Sequence, residues 1–209
     1  YASRLAPEAP WAEQWEAALR RGVRGMRIGV VADEWAAAVP AIAARCDDAL
    51  RALEREGAQR VDIALPMADF AQTIGVLSIG PETMANLWDD FEAHADAFSA
   101  ELEVLMHTLA SLSAKDVLLA QRGRAAYRAI VADALRAVDV IALPTLPTLP
   151  PRYPLSLDRT DVIDEQATRD MCRYAFTANL LGLPAGSAPV GMVDGLPVGI
   201  QFVGDAWDE

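Results

Sequence analysis

Lysine is almost missing from this chain: Lys115 is the only one, and the rest of the 18 basic residues are arginine. Against 30 acidic residues they leave a net charge of -12. No basic stripe appears, which excludes a nucleic-acid partner, because phosphate binding requires one. Cysteine is equally scarce, with only Cys46 and Cys172. Two cysteines make no disulfide framework and match no metal spacing, and a reducing, cytoplasmic setting follows. The two histidines, His94 and His107, belong to no HExxH or similar ligand pattern, so neither a metal nor another cofactor is expected. Apolar runs stay well short of the ~18 residues that a membrane span needs. The start, Tyr1-Ala-Ser-Arg4, carries neither a Met nor a signal-peptide core. The seven serines include none in a glycine-rich run. What remains is an ordinary soluble composition, 53% hydrophobic and 23% charged over 209 residues. A chain of that size buries about 70% of its unfolded surface.

The order of elements points to an α/β body. Pro10 to Arg21 has helical spacing through Trp11, Trp15, Ala18 and Leu19, closed by Gly22 and Gly25. Arg27 to Ala32 is a β-rich run. From Ala38 to Glu56, Val39, Ile42, Cys46, Ala49, Leu50 and Leu53 form one helical stripe, and Gly57 stands at the C-cap position. Val61 to Leu65 predicts a second strand. Strand, helix, strand in this interval is a βαβ unit and implies parallel pairing. Residues 67–136 read as at least three helices, with Ser113-Ala-Lys-Asp116 as a capping box. Asp139 to Leu143 predicts a third strand, and Pro144 to Ile163 a long loop of the kind that binds ligands or forms a lid. A helix follows from about Asp164 to Leu181, ending at Gly182. Ser187 to Val190 and Val198 to Val203 flank Asp194-Gly195, a hairpin signal. The expected fold is therefore a mixed central sheet flanked by helices, with parallel strands first and an antiparallel pair last. There is no internal repeat. Asp205 to Glu209 reads as the first turn of a helix that does not continue, and the chain looks cut at both ends.

Few residues carry independent chemistry. Cys46 lies on an apolar stripe, where a free thiol behaves as a small hydrophobe. Cys172 has no neighbour that would activate it. Asp90 and His94, four apart, can share a helix face but supply too few ligands for a metal. Lys115 beside Ser111 and Ser113 invites a serine–lysine pair, yet Ser113 is explained by capping and i,i+2 side chains diverge. Gly22, Gly25 and Gly29 precede or enter the first strand, so they do not form a dinucleotide fingerprint. Asp158, Asp161, Asp164 and Glu165 read as a solvated approach to a helix. The proline-rich loop and the last hairpin follow strand ends, where open α/β sheets bind ligands. The same loop could equally be a solvated connector.

Two stretches add more. Asp139-Val-Ile-Ala-Leu-Pro-Thr-Leu-Pro147 resembles a signature segment of the amidase signature family. So do Asn179-Leu-Leu-Gly-Leu-Pro-Ala-Gly-Ser-Ala-Pro-Val-Gly191 and Gly195-Leu-Pro-Val-Gly-Ile-Gln-Phe-Val-Gly204, in matching order and spacing. The resemblance runs from about Arg21 onward and implies a serine-dependent amide hydrolase. Its nucleophile, second serine and lysine base belong to a Gly/Ser-rich segment and an upstream strand that have no counterpart here. The chain is thus expected to be the carboxy-terminal part of such a fold: one partial domain over residues 1–209, with a connecting helix (1–26) and an α/β body (27–209). No catalytic residue carries over. The resemblance implies only pocket-wall positions, namely Pro144, Thr145, Leu146, Asn179, Leu183 and Pro184. Gly186 and Ala188 stand where larger aliphatics are common. The Leu105-Met106 region lacks the arginine with which amidotransferase subunits hold a carboxylate. The expected partners are a small-molecule amide and the missing amino-terminal half, and a homo-oligomer is compatible with the reading. The alternative is a catalytically dead amidase-like module that pairs with another subunit.

Overall fold

Five strands, β1 (Arg27–Val31), β2 (Gln59–Ile63), β3 (Val140–Pro144), β4 (Ala185–Val193) and β5 (Leu196–Gly204), form one sheet in the order β2-β1-β3-β5-β4. The computed structural model describes residues 17–152 and 165–206. β1 pairs in parallel with β2 and β3, whereas β5 runs antiparallel to both β3 and β4. The mixed sheet read from the sequence is the one found. The helices after β1 are α1 (Ala32–Ala36), α2 (Pro40–Arg55), α3 (Ala71–Ala93), α4 (Ala100–Ala110), α5 (Ala114–Ala137), α6 (Glu165–Cys172) and α7 (Ala175–Leu181). Of the opening helix, residues 17–21 are helical and the part carrying Trp11 and Trp15 lies outside the described residues. The same holds for Asp158, Asp161, Asp164 and the final Trp207-Asp-Glu209.

Alternation along the strands splits the core into two faces. Ile28 and Val30 of β1, Ala142 of β3, and Val198 and Ile200 of β5 pack with Ile42, Cys46 and Leu50 of α2. Val31, Ile141, Leu143 and Val203 point the other way, against Ile74 of α3, Val131 and Leu135 of α5, and Leu181 of α7. Burying each large aliphatic side chain stabilises the fold by roughly 2 kcal/mol relative to exposure. Of the stripe expected on α2, Ile42, Cys46 and Leu50 are at most 1% exposed and Ala49 and Leu53 are half-buried, whereas Val39 precedes the helix and is exposed.

Polar contacts fix the register. The Arg27 backbone N–H donates to Asp139 Oδ2 at 2.7 Å, its Nη2 donates to Oδ1 at 2.7 Å, and the Asp139 N–H donates back to the Arg27 carbonyl. The Arg27 hydrogen bonds hold the Asp139 carboxyl below the usual carboxylate range. On α5 the capping box is complete, with Ser113 Oγ accepting from the Asp116 N–H and the Asp116 carboxylate accepting from the Ser113 N–H. The hairpin turn places Asp194 at φ 50° and Gly195 at φ 79°, the left-handed pair that a two-residue hairpin loop needs.

Several expected boundaries shift, and the hairpin strands β4 (Ala185–Val193) and β5 (Leu196–Gly204) run longer than the expected 187–190 and 198–203. β2 occupies Gln59–Ile63, two residues before the apolar run at Val61 to Leu65, because pairing starts at Arg27↔Gln59 and stops where β1 turns into α1. The single helix expected up to Leu181 is broken into α6 and α7 at Arg173-Tyr174. Both of those side chains reach Glu34: Arg173 Nε and Nη2 donate to its carboxylate at 2.7 and 3.0 Å, and the Tyr174 hydroxyl donates to its carbonyl. Consecutive residues on a straight helix point about 100° apart, and the break coincides with the turn of both side chains toward Glu34.

α3 and α7 approach so closely that a Cβ on Gly75 would collide with the Phe176 ring. The Gly75→Ala variant gains about 1 kcal/mol of helix propensity but loses roughly 1–3 kcal/mol to overpacking. Net destabilisation is expected, read as a lowered urea midpoint with an unchanged slope; an unchanged or raised midpoint would show that the two helices can separate freely.

Candidate functional site

After Pro144 the chain leaves the sheet and crosses toward the start of α2. The Thr145 N–H still donates to the Gly199 carbonyl at 2.8 Å, extending the β3–β5 ladder by one step. Two residues on, the Pro147 carbonyl accepts from the Val39 N–H at 2.7 Å, which ties the loop to the residue preceding α2. The prolines restrict φ along this segment, so the loop is stiff between its two anchors. Between it and the β4–β5 hairpin lies an open pocket of about 320 Å³, near the lower end of the range for ligand sites. The loop side is Thr145, Leu146, Thr148, Leu149 and Pro150. The opposite side is Ser187, Pro189 and Pro197–Gly199, and Ile42 comes from α2. Among the described residues, no charged side chain lines it.

One polar contact belongs to this wall. Thr145 Oγ1, just past the end of β3, and Ser187 Oγ of β4 lie 2.5 Å apart on either side of β5. They meet across Gly199, where a Cβ would sit 2.8 Å from the threonine oxygen and 3.0 Å from the serine oxygen. Only a residue without a side chain lets the two hydroxyls close over the strand between them.

Of the wall positions implied by the resemblance, Thr145 and Leu146 line this pocket. Pro144 ends β3 opposite Ile200, adjacent to the pocket and buried. Asn179 is exposed on α7. Leu183 packs against the core face formed with α5 and α7, and the Pro184 carbonyl accepts from the Gly204 N–H. These last three are not brought to the pocket. Sequence reasoning missed Thr148, Leu149, Pro150, Ser187, Pro189, Pro197, Val198, Gly199 and Ile42. The hairpin residues sit inside the quoted motifs, so their neighbourhood was marked; nothing along the chain marks Ile42 as more than a core residue.

A second polar group lies at the carboxyl end of β1. Arg173 pairs with the buried carboxylate of Glu34 and with exposed Asp69 at 2.8 Å. Gln201 of β5, also buried, donates to the Tyr174 carbonyl at 3.2 Å. Arg124 and Arg128 of α5 donate to the Leu180 and Leu181 carbonyls, at the negative end of α7. These contacts join α1, the turn at Ala68–Phe70, α5, α7 and β5, and hold the β1 end of the sheet together.

The other sequence candidates have structural roles. Cys46 is fully buried, with Sγ 3.6 Å from the Gly199 carbonyl. Burial, helped by Asp47, pushes its thiol up to about 11, the opposite of what a nucleophile needs. His107 lies edge-on to Phe91 at 5.5 Å between ring centres. The His94 N–H donates to the Asp90 carbonyl at the end of α3, a main-chain contact. Lys115 is exposed in the first turn of α5. Among the described residues no group of three or more His, Cys, Asp or Glu could hold a metal, and no helix is long and apolar enough to cross a membrane.

Two outcomes follow from these contacts. Arg173→Ala leaves the Glu34 carboxylate buried without its partner, and the expected loss is about 3 kcal/mol, because the arginine itself is partly solvated. A denaturation midpoint unchanged from wild type would mean that the pair contributes nothing. In native protein at pH 8, Cys46 is expected to resist iodoacetamide while half-buried Cys172 is labelled first, as read by peptide mass spectrometry. The neutral Cys46 thiol favours folding below the unfolded-state value of 9.0, and that contribution falls away as pH rises toward about 11.

The amidase family model matches residues 4–209. The chain is 32% identical over 192 residues to a fatty acid amide hydrolase of Medicago truncatula, covering 90% of this chain and 32% of that protein. It is 34% identical to a glutamyl-tRNA(Gln) amidotransferase subunit of Halobacterium salinarum, covering 90% of this chain and 49% of that one. Among solved structures, a bacterial aryl acylamidase of the amidase signature family superposes with a TM-score of 0.74 at 20% identity. That match covers 91% of this chain and 42% of the other. The chain spans about a third to a half of the length of the curated relatives it matches. With a family model that covers all but its first three residues, and a sheet and motif order to match, the chain belongs to the amidase family.

Proposed function

We propose that the intact protein containing this chain hydrolyses a carboxylic amide through an acyl-serine intermediate, and that these 209 residues form part of its sheet and one wall of its substrate pocket. The observation that carries this reading is the pocket itself. The loop of the first family-like segment and the hairpin of the other two meet around it, at the carboxyl end of β3. Its lining offers shape and hydroxyl groups but no base and no activated nucleophile among the described residues.

The chemistry then divides between two parts of the polypeptide. A serine outside these residues attacks the amide carbonyl, with its proton passing to a lysine base through a second serine. Backbone N–H groups near that serine stabilise the tetrahedral oxyanion. The amine leaves with a proton, and water hydrolyses the remaining ester to release the acid and the free serine. The wall described here holds the substrate while its carbonyl is in reach, which is where positioning lowers the barrier. The family resemblance disfavours use of glutamine as an ammonia source, since the Leu105-Met106 region lacks the arginine with which amidotransferase subunits hold a carboxylate. No cofactor enters this scheme.

The test uses the intact protein with a panel of simple aryl and alkyl amides. The expected result is ammonia or amine release and a serine acylated in the trapped intermediate, with the 209-residue chain alone inert. Turnover at full rate by the chain alone would place the nucleophile within it and overturn the reading. A folded intact protein that neither turns over nor acylates would instead favour the catalytically dead module.

A further inference from the structure

We infer that the Thr145 and Ser187 hydroxyls, meeting over Gly199, form a clasp that positions the proline-rich loop against the hairpin and so fixes the width of the pocket. Thr145, Ser187 and Gly199 are then positioning residues, and the inference rests on the amide-hydrolase reading only for its effect on turnover.

Three contacts hold the loop where it faces the hairpin. The Thr145 N–H donates to the Gly199 carbonyl of β5, and the Pro147 carbonyl accepts from the Val39 N–H ahead of α2. Both are main-chain bonds, and neither reaches β4, which carries Ser187 and Pro189 of the opposite wall. The third is the hydroxyl pair, 2.5 Å apart, which ties the loop to β4 directly. Among the described residues β4 pairs with β5 alone, and its register slips between Pro189 and Gly191. An edge strand interrupted by a bulge bends away from its ladder easily, so a tie on its far side decides how close it lies to the loop.

Gly199 permits that tie. A Cβ there would sit 2.8 Å from Thr145 Oγ1 and 3.0 Å from Ser187 Oγ, with the Ala188 carbonyl 3.2 Å away. The strand has little room to retreat, because the Gly199 carbonyl is held by the Thr145 N–H at 2.8 Å and Cys46 Sγ lies 3.6 Å from it. A side chain at position 199 therefore parts the hydroxyls. Pro147 and Pro150 fix φ in the segment beyond Thr145 and leave few torsions to absorb the displacement. Leu146 and Leu149 on the loop then shift relative to Pro189 and Val198 on the hairpin.

The experiment is hydrogen exchange on the intact protein, read by peptide mass spectrometry. It follows Thr145 and Val39, the two amides that anchor the loop, and Ile141 to Leu143 inside the sheet. Thr145→Val and Ser187→Ala are each expected to speed exchange at both anchors about fivefold, the effect of one net hydrogen bond, with Ile141 to Leu143 unchanged. The double variant adds nothing further, because either change breaks the same bond. Gly199→Ala, with both hydroxyls present, reproduces the effect. Thr145→Ser keeps wild-type exchange, which separates the clasp from damage to folding. For an amide that the protein turns over, the loss in Thr145→Val falls on KM more than on kcat. Anchors that exchange at the wild-type rate, additive single variants, acceleration spread equally through Ile141 to Leu143, or a loss confined to kcat would overturn the inference. Faster exchange at the anchors with no amide turned over would sink the amidase reading and leave the clasp standing.

Discussion

β3 is the strand on which the two halves of this sheet depend. It pairs in parallel with β1 on one side and antiparallel with β5 on the other, and its centre is closed to solvent, with Ile141 and Ala142 at 0% exposure. A strand buried on both faces must satisfy its main chain through its two neighbours. The βαβ unit and the final hairpin, far apart in sequence, are therefore joined through this one ladder. Its position also sets where the chain leaves the sheet, and with that the floor of the pocket. The Arg27–Asp139 contacts fix the entrance to the strand, and the Thr145–Gly199 bond extends it past Pro144.

Much of this was legible along the chain because the signals were local. Periodicity marked α2, the capping residues marked the start of α5, and Asp194-Gly195 marked the hairpin. The mixed character of the sheet followed from their order. The misplaced ends have non-local causes. β2 begins where its neighbour is available to pair, and periodicity along one strand carries no information about the start of another. The break between α6 and α7 arises from two adjacent side chains converging on Glu34, 139 and 140 residues earlier. No pattern within Asp164 to Leu181 reports that convergence.

The pocket was legible by a different route. Composition left the proline-rich loop as either a wall or a connector. Resemblance marked the right segments, and the fold decided which residues within them meet. Thr145 and Ser187 are 42 positions apart and come together only because the residue after β3 and Ser187 of β4 lie on either side of Gly199 in β5. Gly199, which reads as one small residue in a strand, matters for the volume it leaves free. Ile42 shows the limit most clearly, since one residue serves the core and lines the pocket, and its spacing on α2 reports only the first role.

β4 closes the sheet among the described residues with its outer ladder unpaired. The stretch from Leu183 to Val193 carries no ionisable side chain, and Ala185 to Ala188 are small and exposed. Sheet edges are commonly guarded by lysine, proline or a bulge. Here Pro189 and the bulge before Gly191 guard only the second half. Nothing local would repel an extended segment laid along the first half, so the unpaired main-chain groups of Ala185 to Ala188 leave room for one more strand to extend the sheet by backbone hydrogen bonds alone.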